Sequence, residues 1–237
     1  MSERRAKIAC IIMASGEGKR FSSKKGGKLL APLGGIPVLK RVLQALPIEE
    51  FCDIVVVTRW TEVETMCNTM QINCVRHDNP LRSDTIREGM RAVIDGAADP
   101  SDMPDACLFV AGDQPLLTAD SIKRLLQTFG DVFGRGQSVV CRIGWKQEAG
   151  NPVLFPAAMF DELRSLEGNQ GGASLLRRDD MKGKGIHDEE IQNKEIHDKD
   201  NQDEGVQVLI VEVGSPYELM DVDSPEDLAE LEAVLHG

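Results

Sequence analysis

Residues 7–20 read Lys-Ile-Ala-Cys-Ile-Ile-Met-Ala-Ser-Gly-Glu-Gly-Lys-Arg, an apolar run that leads into a glycine-rich turn. Its first eight residues form an almost continuous apolar run, which is typical of a buried parallel strand. The six that follow form a glycine-rich turn, where backbone N–H groups can approach a phosphate closely. The turn is not a Walker A loop, because no Gly-Lys-Ser/Thr follows, and it lacks the complete Gly-x-Gly-x-x-Gly dinucleotide fingerprint. Taken alone, it indicates either a phosphate-binding loop or an ordinary turn.

Strand-like and helix-like segments alternate along the rest of the chain. Apolar runs predict strands at residues 53–58, 72–76, 107–111, 138–143, 153–155 and 206–213. Helical periodicity predicts helices at residues 36–46, 62–70, 83–94, 118–129, 157–166, 172–177 and 224–235. Ser83 or Asp84 is expected to cap the third of these helices. The alternation predicts an α/β layer fold with a largely parallel sheet.

Length and composition agree with one such domain over residues 1–237. Hydrophobic residues make up 41% of the chain and charged residues 28%, which are ordinary values for a globular protein. No window approaches the ~18 apolar residues of a membrane span, and the first residues lack the apolar core of a signal peptide. We therefore expect a cytoplasmic protein with no membrane partner. The six cysteines form no Cys-x-x-Cys pair, so we expect buried free thiols rather than a zinc or redox site.

Charge is distributed unevenly along the chain. Residues 1–41 hold ten Lys or Arg and two Glu, whereas the remaining residues hold 17 basic and 37 acidic side chains. An acidic protein with a basic first segment is a poor general binder of nucleic acid. The segment suits one small polyanion, because its charges alternate with glycines; the alternative is a solvated basic arm.

Residues 179–205 differ from the rest in composition. They hold ten acidic residues and four lysines but only one Met and three Ile, too few to bury a core face. Ile-His-Asp occurs twice, at 186–188 and 196–198, so His187 and His197 could bind a metal. We favour a flexible acidic insertion on the surface.

The glycine-rich turn and the residues after it resemble a known family. Met13-Ala-Ser-Gly-Glu-Gly-Lys-Arg-Phe21 and Lys28-Leu-Leu-Ala-Pro-Leu-Gly-Gly-Ile-Pro-Val-Leu39 match the two halves of the opening motif of MobA-like nucleotidyltransferases. Extra residues within 22–27 leave Lys28 or Lys25 as the family lysine, and the Leu-Leu after Lys28 favours Lys28. The resemblance implies a Rossmann-like three-layer fold whose first loop cradles a triphosphate. Arg20 and Lys28 would then neutralise phosphate charge.

Two aspartate motifs imply a metal site. Asp113, in Gly-Asp-Gln-Pro, follows a predicted buried strand, which is where α/β sheets bind ligands and where a carboxylate suits Mg²⁺. The string resembles the family's Gly-Asp-Gln/Met-Pro motif, whose Asp binds the metal. Asp221-Val-Asp-Ser-Pro-Glu-Asp-Leu228 resembles a C-terminal string of many nucleotidyltransferases and implies Asp223 as a second metal ligand, with Asp221 as the alternative. The alternatives are a turn Asp shortly before a proline for the first string and a capped helix start for the second.

Two further strings resemble substrate-binding motifs of the same family. Asn79-Pro-Leu-Arg-Ser-Asp-Thr-Ile-Arg-Glu-Gly89 is similar to Gly-x-Ser-x-Ser-Leu-Arg-x-Gly without its leading Gly, and Gly150-Asn-Pro-Val-Leu-Phe155 is similar to a string beside the acceptor. The alternatives are a capped helix and a turn that enters a strand. The resemblance implies acceptor contacts at Gln114, Pro115 and Asn151. The implied nucleotide-binding residues are Ala14, Ser15, Gly16, Glu17, Gly18, Lys19, Arg20, Lys28, Ser83, Asp84, Thr85 and Gly112.

Details of the motifs favour the cytidylyl-transferring branch. Met13-Ala-Ser-Gly16 stands where guanylyl-transferring members usually carry Leu-Ala-Gly-Gly. The resemblance to molybdenum cofactor cytidylyltransferases implies Mg²⁺-dependent transfer of CMP from CTP to the phosphate of molybdopterin, with Arg20, Lys28 and Asp113 as catalytic residues. It also implies a molybdenum hydroxylase apoenzyme as a partner. Two rivals stay open: the same chemistry on a sugar or polyol phosphate, and a non-catalytic nucleotide-binding accessory protein.

Overall fold

The computed structural model describes residues 4–18, 20–21, 27–96, 99–146, 148–177 and 207–236. The segment 179–205, with His187 and His197, lies outside the described residues, as do Lys19 and Lys25. None of the helices in the described ranges is long and apolar enough to cross a membrane.

A seven-stranded sheet organises the fold, and a two-stranded sheet lies beside it. In chain order the strands are β1 (Ile8–Ala14), β2 (Pro32–Leu33), β3 (Ile36–Pro37), β4 (Asp53–Thr58), β5 (Asn73–Arg76), β6 (Ala106–Ala111), β7 (Val139–Trp145), β8 (Glu148–Pro156) and β9 (Gln207–Glu212). The order in the large sheet is β5-β4-β1-β6-β8-β7-β9. β8 runs antiparallel to both of its neighbours, and every other pair in this sheet is parallel. The predicted α/β fold with a mostly parallel sheet is confirmed.

Helices cover both faces of the large sheet. In chain order they are α1 (Gly27–Leu30), α2 (Val38–Ala45), α3 (Thr61–Thr69), α4 (Arg82–Asp95), α5 (Ala119–Phe133), α6 (Phe160–Arg164) and α7 (Pro225–His236). Successive side chains of a strand point to opposite faces. Ile12 of β1 accordingly packs in one core cluster with Phe129 of α5, and Ile11 packs in another with Met90 of α4. This arrangement is the predicted three-layer sandwich.

The order of the strands creates a crevice next to β1. β4 pairs with one edge of β1, where Ile11 lies opposite Val55, and β6 pairs with the other edge, where Ile11 lies opposite Phe109. Ligands of α/β sheets bind outside the carboxyl ends of the strands at such a switch point. The glycine-rich turn follows β1 and Asp113 follows β6, so the topology brings both to this crevice.

The start of α4 differs from the prediction. The helix begins at Arg82, and the preceding Leu81 makes no side-chain cap. Ser83 and Asp84 lie within the first turn, where the Ser83 N–H donates to the Gly168 carbonyl at 3.2 Å and Asp84 pairs with Arg87 at 2.8 Å. The prediction that Ser83 or Asp84 caps the helix is therefore wrong, because a carbonyl from a distant loop satisfies a backbone donor instead.

All six cysteines are free thiols. Four of them are buried: Cys10, Cys67, Cys107 and Cys141. Cys74 is half-buried, and Cys52 is exposed in the turn before β4. The expectation of buried thiols is confirmed at four positions and wrong at Cys52.

Candidate active site

A cleft of about 830 Å³ opens at the carboxyl ends of β1 and β6. Its wall includes eleven residues that the sequence implicated: Ser15, Gly16, Glu17, Gly18, Arg20, Lys28, Thr85, Asp113, Asn151, Asp221 and Asp223. Small-molecule sites have volumes of roughly 300–1,000 Å³. The cleft is therefore large enough for a nucleotide and part of a second substrate.

Other implicated residues lie outside the cleft wall. These are Ala14, Ser83, Asp84, Gly112, Gln114 and Pro115. Gln114 is 2% exposed, and its side-chain amide donates to the Leu219 carbonyl at 3.1 Å. Its observed contact is thus with the segment that leads to Asp223, and its acceptor role stays a prediction.

Lys28 lies at the centre of the cleft's charged residues. Its Nζ is 2.5 Å from Asp113 Oδ2 and 2.8 Å from Asp223 Oδ1, and the residue is 6% exposed. Burial alone would lower the pKa of Lys28, but the charges and hydrogen bonds of Asp113 and Asp223 outweigh it and raise that pKa. Lys28 is therefore a cation at neutral pH, joined to two carboxylates that lie far apart in the sequence.

Asp221 adds a third carboxylate to the cleft wall. Desolvation in the cleft, followed by the negative charges of Asp113 and Asp223, raises the pKa of Asp221 to about 6. This part of the cleft therefore holds three carboxylates against the one ammonium of Lys28. Such a region favours the binding of a cation.

Two of these carboxylates could hold a metal ion. Asp113 and Asp223 already converge on one positive atom, Lys28 Nζ. No group of three or more His, Cys, Asp or Glu side chains within the described ranges is arranged to hold a metal alone. Mg²⁺ in nucleotide sites commonly takes one or two carboxylates and completes its shell with phosphate oxygens and water. Asp113 and Asp223 could supply these carboxylates.

Two residues that the sequence analysis did not identify donate hydrogen bonds to backbone carbonyls at the glycine-rich loop. Thr58 Oγ1 donates to the Ala14 carbonyl at 2.8 Å, and the Trp60 indole N–H donates to the Gly16 carbonyl at 3.1 Å. Both hydrogen bonds follow from the pairing of β4 with β1, which places Thr58 opposite Ala14. The sequence feature that could have identified Thr58 and Trp60 is their position at the end of a predicted strand, where α/β sheets bind ligands.

Gly18 has a conformation that brings the loop close to Lys28. Its φ is +55°, which non-glycine residues rarely adopt, and a Cβ there would lie 3.1 Å from Lys28 Cγ. The Phe21 N–H closes the turn by donating to the Gly18 carbonyl at 2.8 Å. The glycine therefore allows the lysine chain to lie along the loop.

His77 joins the loop to α4. Its Nε2 lies 2.9 Å from Ser15 Oγ and 3.3 Å from Thr85 Oγ1. The residue is 8% exposed, and its Nδ1 is buried without a hydrogen-bonding partner among the described residues. Burial is the main cause that lowers the pKa of His77. The imidazole is therefore neutral at pH 7 and ties the end of β1 to the start of α4.

We expect His77 to make the protein less stable in mild acid. The unfolded chain binds a proton at His77 near pH 6.5, but the folded protein binds it only at a lower pH, so the free energy of unfolding falls as the pH drops through and below 6.5. Urea unfolding at pH 7.5 and 5.5 should show that the free energy of unfolding falls less between these two pH values in His77→Gln than in the wild type. His236→Gln, which removes an exposed imidazole, is the matched control. If the free energy of unfolding falls equally in the wild type and in His77→Gln, this expectation is wrong.

The far half of the cleft combines apolar and polar groups. Phe109, Val153 and Phe155 contribute apolar surface, and Asn151 and Asn169 contribute amides. The Arg142 guanidinium donates to the Gly150 carbonyl at 3.1 and 2.8 Å, which fixes the backbone next to Asn151. This half could bind a flat, partly apolar molecule that also carries hydrogen-bonding groups.

Curated proteins with similar sequence match about half of this chain. The bifunctional protein GlmU of Leifsonia xyli subsp. xyli is 34% identical over 122 residues, which cover 50% of this chain and 24% of that protein. The 2-C-methyl-D-erythritol 4-phosphate cytidylyltransferase of Chlorobium phaeovibrioides is 31% identical over 124 residues, which cover 47% of this chain and 49% of that protein. The chain thus matches between a quarter and a half of the length of these relatives.

A solved structure and a family model extend the comparison. The manganese complex of Rv0371C from Mycobacterium tuberculosis superposes on 96% of this chain and 98% of its own, with a TM-score of 0.64 and 18% identity, which shows a shared fold. A family model described as a MobA-like NTP transferase domain matches residues 10–183. That match spans more than half of the chain and includes the glycine-rich loop, Lys28 and Asp113, so the chain belongs to the MobA-like NTP transferase family.

Proposed function

We propose that the protein is a Mg²⁺-dependent nucleotidyltransferase that moves CMP from CTP to the phosphate of molybdopterin or its metallated form. The observation that carries the proposal is the contact of Lys28 with Asp113 and Asp223 beside the glycine-rich loop, all in one cleft. Membership of the MobA-like family supports nucleotidyl transfer. The similarity to a cytidylyltransferase supports CTP as the nucleotide.

The proposed reaction is an in-line displacement at phosphorus. An oxygen of the acceptor phosphate forms a bond to the α-phosphorus of CTP, and the bond from that phosphorus to the bridging α,β-oxygen breaks. Pyrophosphate leaves with the bond's electron pair. The acceptor phosphate is already anionic near neutral pH, so a general base is not required. Catalysis then rests on positioning and on neutralising charge.

The loop and its neighbouring cations would bind the triphosphate. Backbone N–H groups around Gly16 and Gly18 point to a phosphate cradle. Arg20 lines the same cleft, and it would neutralise the departing pyrophosphate together with Lys28. A bound Mg²⁺, held by Asp113 and Asp223, would supply further charge neutralisation at the phosphate oxygens.

The far half of the cleft supports a pterin-type acceptor. Phe109 belongs to the apolar part of this wall and would contact a flat heterocycle, and Asn151 and Asn169 would supply amide donors and acceptors for its polar edge. The anchor between Arg142 and Gly150 would keep Asn151 in place. A molybdenum hydroxylase apoenzyme would be the protein that takes up the product.

A sugar or polyol phosphate is the second candidate acceptor. Its support is the similarity to 2-C-methyl-D-erythritol 4-phosphate cytidylyltransferase over about half of each chain. The amides and Arg142 at the far half of the cleft suit hydroxyl groups as well as a pterin edge. Acceptor chemistry therefore has to be decided by assay.

The deciding experiment measures pyrophosphate release from CTP, GTP, ATP and UTP with Mg²⁺, with and without molybdopterin. We expect release from CTP only when molybdopterin is present. Release with a sugar or polyol phosphate instead would transfer the assignment to the second candidate. Nucleotide binding without pyrophosphate release for any acceptor would contradict an enzymatic role and support a non-catalytic accessory protein.

A further inference from the structure

We propose that Lys28 takes the place of the divalent cation in the nucleotide-free protein, so that the cation binds tightly only together with a nucleotide. This inference rests on the proposed function, in which Asp113 and Asp223 are cation ligands. It assigns Lys28 a second role besides contact with phosphate. In that role the lysine side chain is a displaceable counter-ion that couples two binding events.

The geometry shows one positive atom where two carboxylates meet. Lys28 Nζ contacts one oxygen of Asp113 at 2.5 Å and one oxygen of Asp223 at 2.8 Å. These carboxylates come from the loop after β6 and the segment before α7, and among the described residues their shared contact is this ammonium. A divalent cation bound to the same two oxygens would lie within a few ångströms of Nζ, where like charges repel strongly. The lysine and the cation therefore compete for one position.

Lys28 has little freedom to leave this position without another anion. The residue is 6% exposed, and an ammonium that loses its partners in a buried place is strongly destabilised. In the nucleotide-free protein, a metal ion must therefore displace a well-paired charge. We expect weak binding of the metal alone for this reason.

A bound triphosphate would give Lys28 that other partner. The lysine side chain runs beside Gly16 and Gly18, since Cβ atoms added there would lie 3.5 Å from Lys28 Cε and 3.1 Å from Lys28 Cγ. The proposed phosphate cradle is the same loop, so phosphate oxygens would lie next to the lysine chain. Nζ could then turn from the carboxylates to the phosphates while the cation takes its place. By linkage, the nucleotide strengthens cation binding by the same factor as the cation strengthens nucleotide binding.

The test measures binding of Mn²⁺ by electron paramagnetic resonance, with and without α,β-methylene-CTP, which is not turned over. For the wild type we expect weak binding of Mn²⁺ alone and tighter binding with the nucleotide analogue. For Lys28→Met we expect binding of Mn²⁺ alone to tighten by about tenfold or more, because the competing charge is gone. Lys28→Gln is the second variant, for use if Lys28→Met does not fold. Arg20→Met is the matched control, because it removes a cleft cation that does not contact the carboxylates.

The possible results separate the two proposals. If binding of Mn²⁺ alone is no tighter in the Lys28 variant than in the wild type, while the analogue strengthens it in the wild type, the counter-ion role is wrong and the proposed function stands. If Arg20→Met tightens the binding of Mn²⁺ alone as much as the Lys28 variant does, the counter-ion role is also wrong. The loss of any positive charge from the cleft would then explain the effect. If the analogue never strengthens Mn²⁺ binding in the wild type, the shared cation site itself is wrong, and both proposals fail.

Discussion

Asp113→Ala should lower kcat/KM for nucleotide transfer by about 10³-fold or more. The change removes a proposed cation ligand and also the carboxylate that contacts Lys28 Nζ at 2.5 Å. Both effects act on charge near the reacting phosphates, where catalysis of this kind is concentrated. The measurement is pyrophosphate release at saturating Mg²⁺ with CTP and the acceptor identified by the assay above.

Two companion variants make the Asp113 result interpretable. Asp113→Asn keeps the size of the side chain but removes its charge, so we expect a loss close to that of Asp113→Ala. Asp131→Ala removes an exposed carboxylate on α5, away from the cleft wall, and should leave activity unchanged. Circular dichroism and thermal melting would establish that each variant is folded. An Asp113→Ala protein with wild-type activity would exclude Asp113 as a catalytic residue.

The sheet could be predicted because its strands are nearly continuous apolar runs. Asp53–Thr58 matches its prediction residue for residue, and β1 and β6 differ from theirs by one residue. The predicted and observed boundaries differ more where polar residues extend a strand. β8 begins at Glu148 rather than Val153, because pairing with β7 continues through a polar hairpin. Local composition therefore identifies the buried part of a strand, and tertiary pairing determines its length.

The charged centre of the site could also be predicted, through short motifs that resemble those of the family. Lys28, Asp113 and Asp223 each belong to a short sequence motif, and the fold brings them within hydrogen-bonding distance of one another. Asp223 and Asp221 lie in one string, so the sequence leaves Asp221 as an alternative to Asp223 for the second metal ligand. The structure places both in the cleft and pairs Asp223 with Lys28.

The support for the glycine-rich loop could not be predicted in the same way. Thr58 and His77 contact the loop only because β4 lies between β1 and β5 in the sheet. Neither residue belongs to a recognisable string, and the sequence alone does not state which strands are neighbours. The capping prediction at Ser83 failed for a related reason, because its backbone N–H is satisfied by Gly168 from a distant loop.

Phe129→Ala should lower the free energy of unfolding by about 3–5 kcal/mol, which is the usual range for removing a buried phenylalanine. Phe129 is 1% exposed on α5 and stacks on Phe133 with ring centroids 5.9 Å apart. The helix packs against β7 and β9, so the change leaves a cavity between a helix and the sheet. Because a domain of this size is stable by roughly 5–15 kcal/mol, the loss is a large share of the total. Urea unfolding followed by circular dichroism measures it directly.

Gln127→Ala is the matched control for Phe129→Ala, because Gln127 lies on the exposed side of the same helix. We expect its effect to stay within about 0.5 kcal/mol, as for most surface substitutions. Phe129 is outside the cleft wall, so the folded fraction of Phe129→Ala should retain wild-type kcat/KM. The two results together would separate the helix layer that stabilises the sheet from the loops that line the cleft. If Phe129→Ala and Gln127→Ala unfold at the same urea concentration, the cluster around Phe129 is not a main source of stability, and the assignment of α5 to the core layer is wrong.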